Sequence, residues 1–269
     1  MAAASRSRTV ADLEVHRSGD TTIRYSASGP VGGPVLVLVH GWACGRTDFD
    51  AVTSHLPRTH RVLAIDLAEH GESRSTREVW TMEEFARDVV AVLEAESVDS
   101  CVVAGHSLGA AVAVEVGRLL PDTVSRVVAL DGLHYLFLFP ALDEGRAAAV
   151  LQPFLDDFPG AVRGMVEAGS PPGTDAALKD AYFEKMSAVR QPAGLLSMEG
   201  LVRWDMDAAL SGTDQPITVF AVRDMVAQAA VDRYGKRIDF VLVDLGSHHF
   251  PVEAPEATAK LLTDVMNKQ

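Results

Sequence analysis

Cysteine is almost absent from this 269-residue chain: only Cys44 and Cys101 occur, with no CxxC pair. Two distant cysteines give no disulfide framework and fit a reducing compartment. No run of 18 apolar residues exists, so no transmembrane helix is expected. The opening MAAASRSRTV carries two arginines but no apolar stretch behind them, so it does not read as a secretory signal. Residues 1–8 read as a loose terminus, and the cytoplasm is the expected location. Positive charge is scarce too, with 24 Lys and Arg against 37 Asp and Glu and a net charge of −13. Phosphate backbones and anionic membranes need clustered cations, so neither nucleic acid nor a membrane is an expected partner. The chain also lacks internal repeats, low-complexity tracts, HExxH strings and Cys/His clusters, so no metal is expected. Gly29, Gly32 and Gly33 precede a strand rather than open a helix, which removes a phosphate-binding loop.

What is present is a soluble-protein composition, 48% apolar and 23% charged, on a chain long enough for a substantial core. VADLEV (10–15) and TTIRYSA (21–27) alternate around the turn residues Arg17-Ser18-Gly19-Asp20, which predicts an antiparallel pair. Six further runs, at 35–39, 61–66, 101–105, 126–131, 217–222 and 239–244, are nearly continuously apolar. Strands of that kind are buried on both faces, as in a parallel sheet between helix layers. Helical patterns lie between them. One opens at Thr81 as a capping box, one follows Ser107, and one starts at Pro255. The fold class is therefore α/β: a doubly wound, mostly parallel eight-stranded sheet with helices on both faces. Residues 133–214 break the alternation with helix-like pieces cut by prolines, too long for a plain loop. They read as a helical cap inserted between two parts of one core, 1–132 and 215–269.

Ligands of open α/β sheets bind at the carboxyl ends of the strands. The polar residues there include His40-Gly41-Trp42, Asp66, Ser107, Asp131, Asp224 and His248-His249. A serine, then acids, then histidine is the chain order of a nucleophile elbow. A serine hydroxyl needs a base, neutral imidazole suits that task, and a carboxylate fixes the imidazole's tautomer. Gly105 and Gly109 let a strand turn sharply into a helix around Ser107. The Leu108 and Trp42 N–H groups then offer an oxyanion hole.

Five motifs together, LVLVHGW (36–42), AIDLAEHGES (64–73), VVAGHSLGAA (102–111), PITVFAVRD (216–224) and LGSHHFPVEAPE (245–256), resemble the α/β-hydrolase fold superfamily over about residues 20–131 and 214–267. The resemblance implies Ser107 as nucleophile, Asp224 as acid, one of the two final histidines as base, and no cofactor. Alignment on Glu253 and Pro255 favours His248 as base. Alignment on His-Phe-Pro gives His249. Asp131, after the preceding strand, is the alternate acid. One departure is Glu69, which stands where the family's turn usually has glycine and implies either a rebuilt turn or a carboxylate at the pocket mouth. His40, His70 and His106 read as turn-packing residues, and Cys44 as a small filler.

The string LHYLFLF (133–139) opening the cap supplies candidate pocket walls, with Leu133, His134, Leu136 and Trp42 the expected substrate-binding residues. The leading expectation is a serine hydrolase of the esterase or lactonase kind, cleaving an ester or lactone of an apolar small molecule through an acyl-enzyme. Serine rather than aspartate at the elbow argues against dehalogenase and epoxide-hydrolase chemistry. Carbon–carbon bond hydrolysis or cofactor-free dioxygenation by a His–Asp pair is the alternative enzyme class. A non-enzymatic ligand receptor on the same fold is the third reading.

Overall fold

The structure is a computed structural model, and it describes residues 10–17 and 19–268. The expected loose terminus at 1–8 and Ser18 of the first turn lie outside the described residues.

Eight strands form one sheet: β1 (Val10–Arg17), β2 (Thr21–Ser28), β3 (Val35–Val39), β4 (Arg61–Ile65), β5 (Cys101–His106), β6 (Val124–Leu130), β7 (Ile217–Val222) and β8 (Ile238–Val243). Their order is β1-β2-β4-β3-β5-β6-β7-β8. β1 pairs antiparallel with β2, and β2 antiparallel with β4; every other pairing is parallel.

The apolar runs are continuous because both faces are covered. Val37 and Val39 of β3 point into one core with Phe85, Val89 and Val112, while Leu36 and Leu38 point into the other with Val52, Leu262 and Val265. The first layer contains α2 (Met82–Ala95) and α3 (Leu108–Leu119); the second contains α1 (Asp50–His55) and α11 (Pro255–Met266). At the start of α2 the Thr81 hydroxyl accepts from the Glu84 amide at 3.2 Å. The reciprocal half of the expected capping box is replaced: the Glu84 carboxylate turns to Arg17 and Arg87, stronger donors than a backbone N–H.

Between β6 and β7 the chain holds no strand among the described residues. After a 3₁₀ turn at Leu136–Leu138 come α4 (Glu144–Asp156), α5 (Phe158–Ala168), α6 (Ala176–Ser187), α7 (Ala193–Val202) and α8 (Met206–Ser211). Four of these five helices open on an aspartate that accepts from a first-turn amide, at Asp143, Asp157, Asp175 and Asp205. Pro153 does not end its helix; α4 continues past it to Asp156. The remaining helices are α9 (Gln228–Tyr234), between β7 and β8, and the short α10 (Phe250–Glu253) before α11.

Candidate active site

Ser107 follows the last residue of β5 and caps α3, with φ 53° and ψ −118°. That left-handed backbone is costly for a serine and persists only where the surroundings fix it. Two glycines do so by allowing backbone to touch backbone. A Cβ on Gly105 would stand 1.9 Å from the Gly109 carbonyl oxygen, and one on Gly109 would stand 2.3 Å from that of Val39. The Trp42 loop also closes on the serine: a Cβ on Gly41 would lie 3.2 Å from the Ser107 Cβ. That loop is a turn in which Cys44 N–H donates to the Gly41 carbonyl at 3.2 Å, with Ala43 at φ 57°. Leu108 N–H, in the first turn of α3, has no acceptor within its helix.

The histidine of the final loop is held at four points. The His248 amide donates to the Gly169 carbonyl at 2.8 Å, and the His248 carbonyl accepts from His106 Nε2 at 2.8 Å. Its ring Nδ1 lies 2.6 Å from Asp131 Oδ2 and 2.8 Å from the Tyr135 hydroxyl. The loop itself is anchored by Glu253, whose carboxylate accepts from the Ser247 amide and hydroxyl and from Tyr182. Gly246, at φ 115°, leaves room for that carboxylate.

The carboxylate that meets His248 is therefore Asp131 and not Asp224, the acid the family pattern favours. Asp131 follows β6 directly at φ 46° and is fully buried. Its Oδ1 accepts from the Val222 amide at 2.8 Å and faces His134 Nε2 at 3.1 Å. Burial by itself would raise its pKa, but hydrogen bonds from His134 and His248 outweigh this and hold the carboxyl well below the usual range. Asp224 sits exposed in the turn after β7, on the rim of the same cavity, and makes no pair with His248.

The second histidine goes elsewhere, because neighbouring loop residues project in different directions. His249 is buried and stacks on Tyr182 of α6 with centroids 4.0 Å apart. Burial, with His248 and His106 nearby, depresses its pKa far below 6.5, so the ring is neutral. The other histidines hold turns. His40 Nε2 accepts from the Leu67 amide, and His70 Nδ1 donates to the Ala68 carbonyl. Burial pushes His70 and His106 down to about 3. Cys44 is buried, which raises its pKa and keeps the thiol protonated.

Ser107 and His248 open onto one cavity of about 390 Å³. Trp42 is in its wall as expected. The other expected wall residues do not line it: Leu133 and His134 are buried, and Leu136 is 61% exposed. Leu133 takes φ 63° and the 3₁₀ turn begins three residues later, and Tyr135 and Phe137 face the cavity instead. Phe154, Met165 and Met198 from the helical insertion complete an apolar enclosure.

Tyr135 is the site residue that motif reading passes over. The available signal is the spacing Asp131-x-x-His134-Tyr135 directly after a strand, two polar groups that turn back onto the carboxylate.

Glu69 takes φ 59°, in the left-handed region that glycine enters most readily. Its carboxylate accepts from the Ser75 amide and from Arg190 Nε at 2.8 Å, joining the core to the segment between α6 and α7. Among the described residues no group of three or more His, Cys, Asp or Glu side chains is placed to hold a metal ion. Nor is any helix among them long and apolar enough to cross a membrane.

An eight-stranded sheet in this order, with a serine on a strained elbow and, on the same cavity, a histidine bound to a buried aspartate, defines an α/β-hydrolase architecture. The family model described as "Alpha/beta hydrolase family" matches residues 36–261, and the chain belongs to that family. The chain is 28% identical over 262 residues to the dihydrolipoyllysine-residue acetyltransferase component of the acetoin cleaving system of Pseudomonas putida, covering 93% of this chain and 68% of that one. Other curated relatives, a diacylglycerol lipase of Xenopus tropicalis among them, match over less than half of their own length. Among solved structures, Est816, described as an N-acyl homoserine lactone degrading enzyme, superposes with a TM-score of 0.80 at 22% identity, over 94% of this chain and 99% of that one. A thermophilic esterase from Thermogutta terrifontis superposes with a TM-score of 0.80 at 19% identity, over 96% and 98%. At these identities the likeness is one of fold.

Proposed function

We propose that this hydrolase cleaves a carboxylic ester or lactone of an apolar small molecule, through an acyl-enzyme on Ser107. The observation that carries the reading is the placing of Ser107 and His248 on one apolar cavity, with His248 bound through Nδ1 to the buried Asp131. The esterase and lactonase descriptions of structural neighbours support it.

With Nδ1–H donated to Asp131, the free ring nitrogen of His248 is Nε2, the basic one. Ser107 Oγ attacks the acyl carbon as its proton passes to Nε2. The oxyanion takes hydrogen bonds from the Trp42 and Leu108 amides, each worth about 3 kcal/mol in such sites. Collapse expels the alcohol oxygen, which recovers the proton from His248; in a lactone it stays tethered to the acyl chain. Water then attacks the acyl-enzyme while giving a proton to His248, and collapse releases the acid as Ser107 Oγ takes that proton back from His248. Asp131 stays ionised throughout and stabilises the imidazolium. The insertion at 133–214 acts as a cap whose side chains select the acyl or ring portion.

A fluorophosphonate probe and a short-chain p-nitrophenyl ester test this together. Covalent labelling at Ser107, burst release of p-nitrophenol and loss of both in Ser107→Ala are the expected results. Folded wild-type protein that neither labels nor turns over would refute the reading.

A further inference from the structure

The Tyr135 hydroxyl lies within hydrogen-bond distance of three atoms: His248 Nδ1 at 2.8 Å, Asp131 Oδ2 at 3.1 Å and the Asp131 backbone oxygen at 3.1 Å. Proton counting leaves one arrangement. The ionised Asp131 carboxylate only accepts. At 2.6 Å from it, His248 Nδ1 must carry a proton, since a lone pair facing a carboxylate oxygen would be repelled. That Nδ1–H has a second acceptor beside it, the Tyr135 oxygen. The phenol's own proton then goes to Asp131, at either oxygen within reach. Three groups and two protons close a small network with no donor facing a donor.

The tyrosine ring is also held by contacts other than those to His248 and Asp131. Its ring lies parallel to Phe137, with centroids 5.8 Å apart and planes 3° from parallel, and packs on His134 at 4.4 Å. The two ends of the carboxylate are thus treated alike. Oδ1 is pinned by the Val222 amide and His134, and Oδ2 by His248 and Tyr135.

We propose that Tyr135 is a positioning residue for the acid–base pair, its hydroxyl bridging Asp131 and His248 so that the imidazole keeps its Nδ1–H tautomer and its aim toward Ser107. This rests on the reading of His248 as the base. Tyr135 does not itself exchange protons with substrate; it acts through the ring it holds.

Tyr135→Phe in the full-length protein keeps the ring, the stacking and the cavity wall while deleting the bridge. Three quantities are compared with wild type: kcat and KM on p-nitrophenyl butyrate, the downfield imidazole Nδ1–H proton resonance, and the unfolding midpoint. The expected result is a kcat lower by on the order of tenfold, the rate equivalent of one hydrogen bond. KM stays within about twofold, and the resonance moves or broadens in protein that remains folded. An unchanged kcat and unchanged resonance overturn the proposal, as does a raised KM with kcat intact, which makes Tyr135 a cavity wall only. Should Tyr135→Phe fail to fold, 3,5-difluorotyrosine at position 135 keeps the shape but weakens the acceptor and strengthens the donor, and it must shift the same resonance. Wild-type protein that neither labels nor hydrolyses would refute the hydrolase reading, while the resonance still decides the role of Tyr135.

Discussion

His248 Nδ1 meets Asp131 Oδ2 at 2.6 Å across 117 positions of sequence, so the carboxylate beside this histidine comes from the end of β6. The strand ends bring Ser107 and His248 to one cavity, and the carboxylate that meets His248 follows β6 where the motif pattern favoured the one after β7.

The two candidate acids are separable by substitution. Asp131→Asn leaves the shape intact but favours the wrong tautomer of His248, and kcat should fall about 10³–10⁴-fold. Asp224→Asn should cost less than about tenfold, since that carboxylate touches neither Ser107 nor His248 by any hydrogen bond. A larger loss from Asp224→Asn than from Asp131→Asn in steady-state kinetics would reverse the assignment.

Two buried histidines should make stability fall in mild acid. His70 and His106 have folded values of about 3 against an ordinary 6.5, burial being the main cause. The unfolded chain therefore binds protons first as pH drops, and each histidine withdraws about 1.4 kcal/mol of stability per pH unit between 6.5 and 3. Above 6.5 neither contributes a slope. His70→Gln, whose amide can still donate to the Ala68 carbonyl, should show a shallower decline than wild type in urea denaturation run from pH 7 to pH 4. Parallel declines would show that His70 carries no such linkage.

The elbow glycines should tolerate no side chain. Gly105→Ala and Gly109→Ala each drive a Cβ into backbone oxygen, at 1.9 and 2.3 Å, and should cost about 3 kcal/mol or more. Gly164 on α5 is the internal control. Nothing lies within 4 Å of its Cβ position, and Gly164→Ala should stabilise by up to about 1 kcal/mol. Thermal unfolding of the three variants tests this, and a Gly105→Ala protein as stable as wild type would contradict the packing argument.

Arg190 ties the helical insertion to the core through Glu69 and the carbonyls of Gly71 and Ser73. The guanidinium is about a third exposed, which limits the ion pair to about 1 kcal/mol or less. Arg190→Ala should therefore loosen residues 188–192 without unfolding the protein. The expected signature is faster amide exchange there and a KM raised several-fold with kcat nearly kept. Slower chemistry at unchanged KM would place the effect at Ser107 instead.

The sheet was legible in the sequence because its strands are buried on both faces. Uninterrupted runs such as VLVLV at 35–39 and ITVFAV at 217–222 coincide with β3 and β7 residue for residue. The elbow was legible for a related reason: two glycines four apart around a serine have a local steric cause, which the Cβ contacts make explicit. The helical character of 133–214 was visible in its broken pattern, and its boundaries fall between β6 and β7.

Composition and local pattern thus determined the parallel sheet, the place of Ser107 and the order of the strand-end residues. Which carboxylate meets the histidine was decided only in three dimensions. Asp131 and Asp224 both follow apolar strands, and local sequence cannot rank them. The Val222 amide at the end of neighbouring β7 donates to Asp131 Oδ1, which holds that carboxylate beside His248 of the final loop while Asp224 passes out into an exposed turn. Tyr135 and Phe137 reached the cavity, and Leu133 and Leu136 missed it, because a left-handed residue and a 3₁₀ turn rotated that stretch. A hydrogen bond between strands and the rotation of a loop depend on neighbours distant in the chain, so their outcome is a property of the packed molecule.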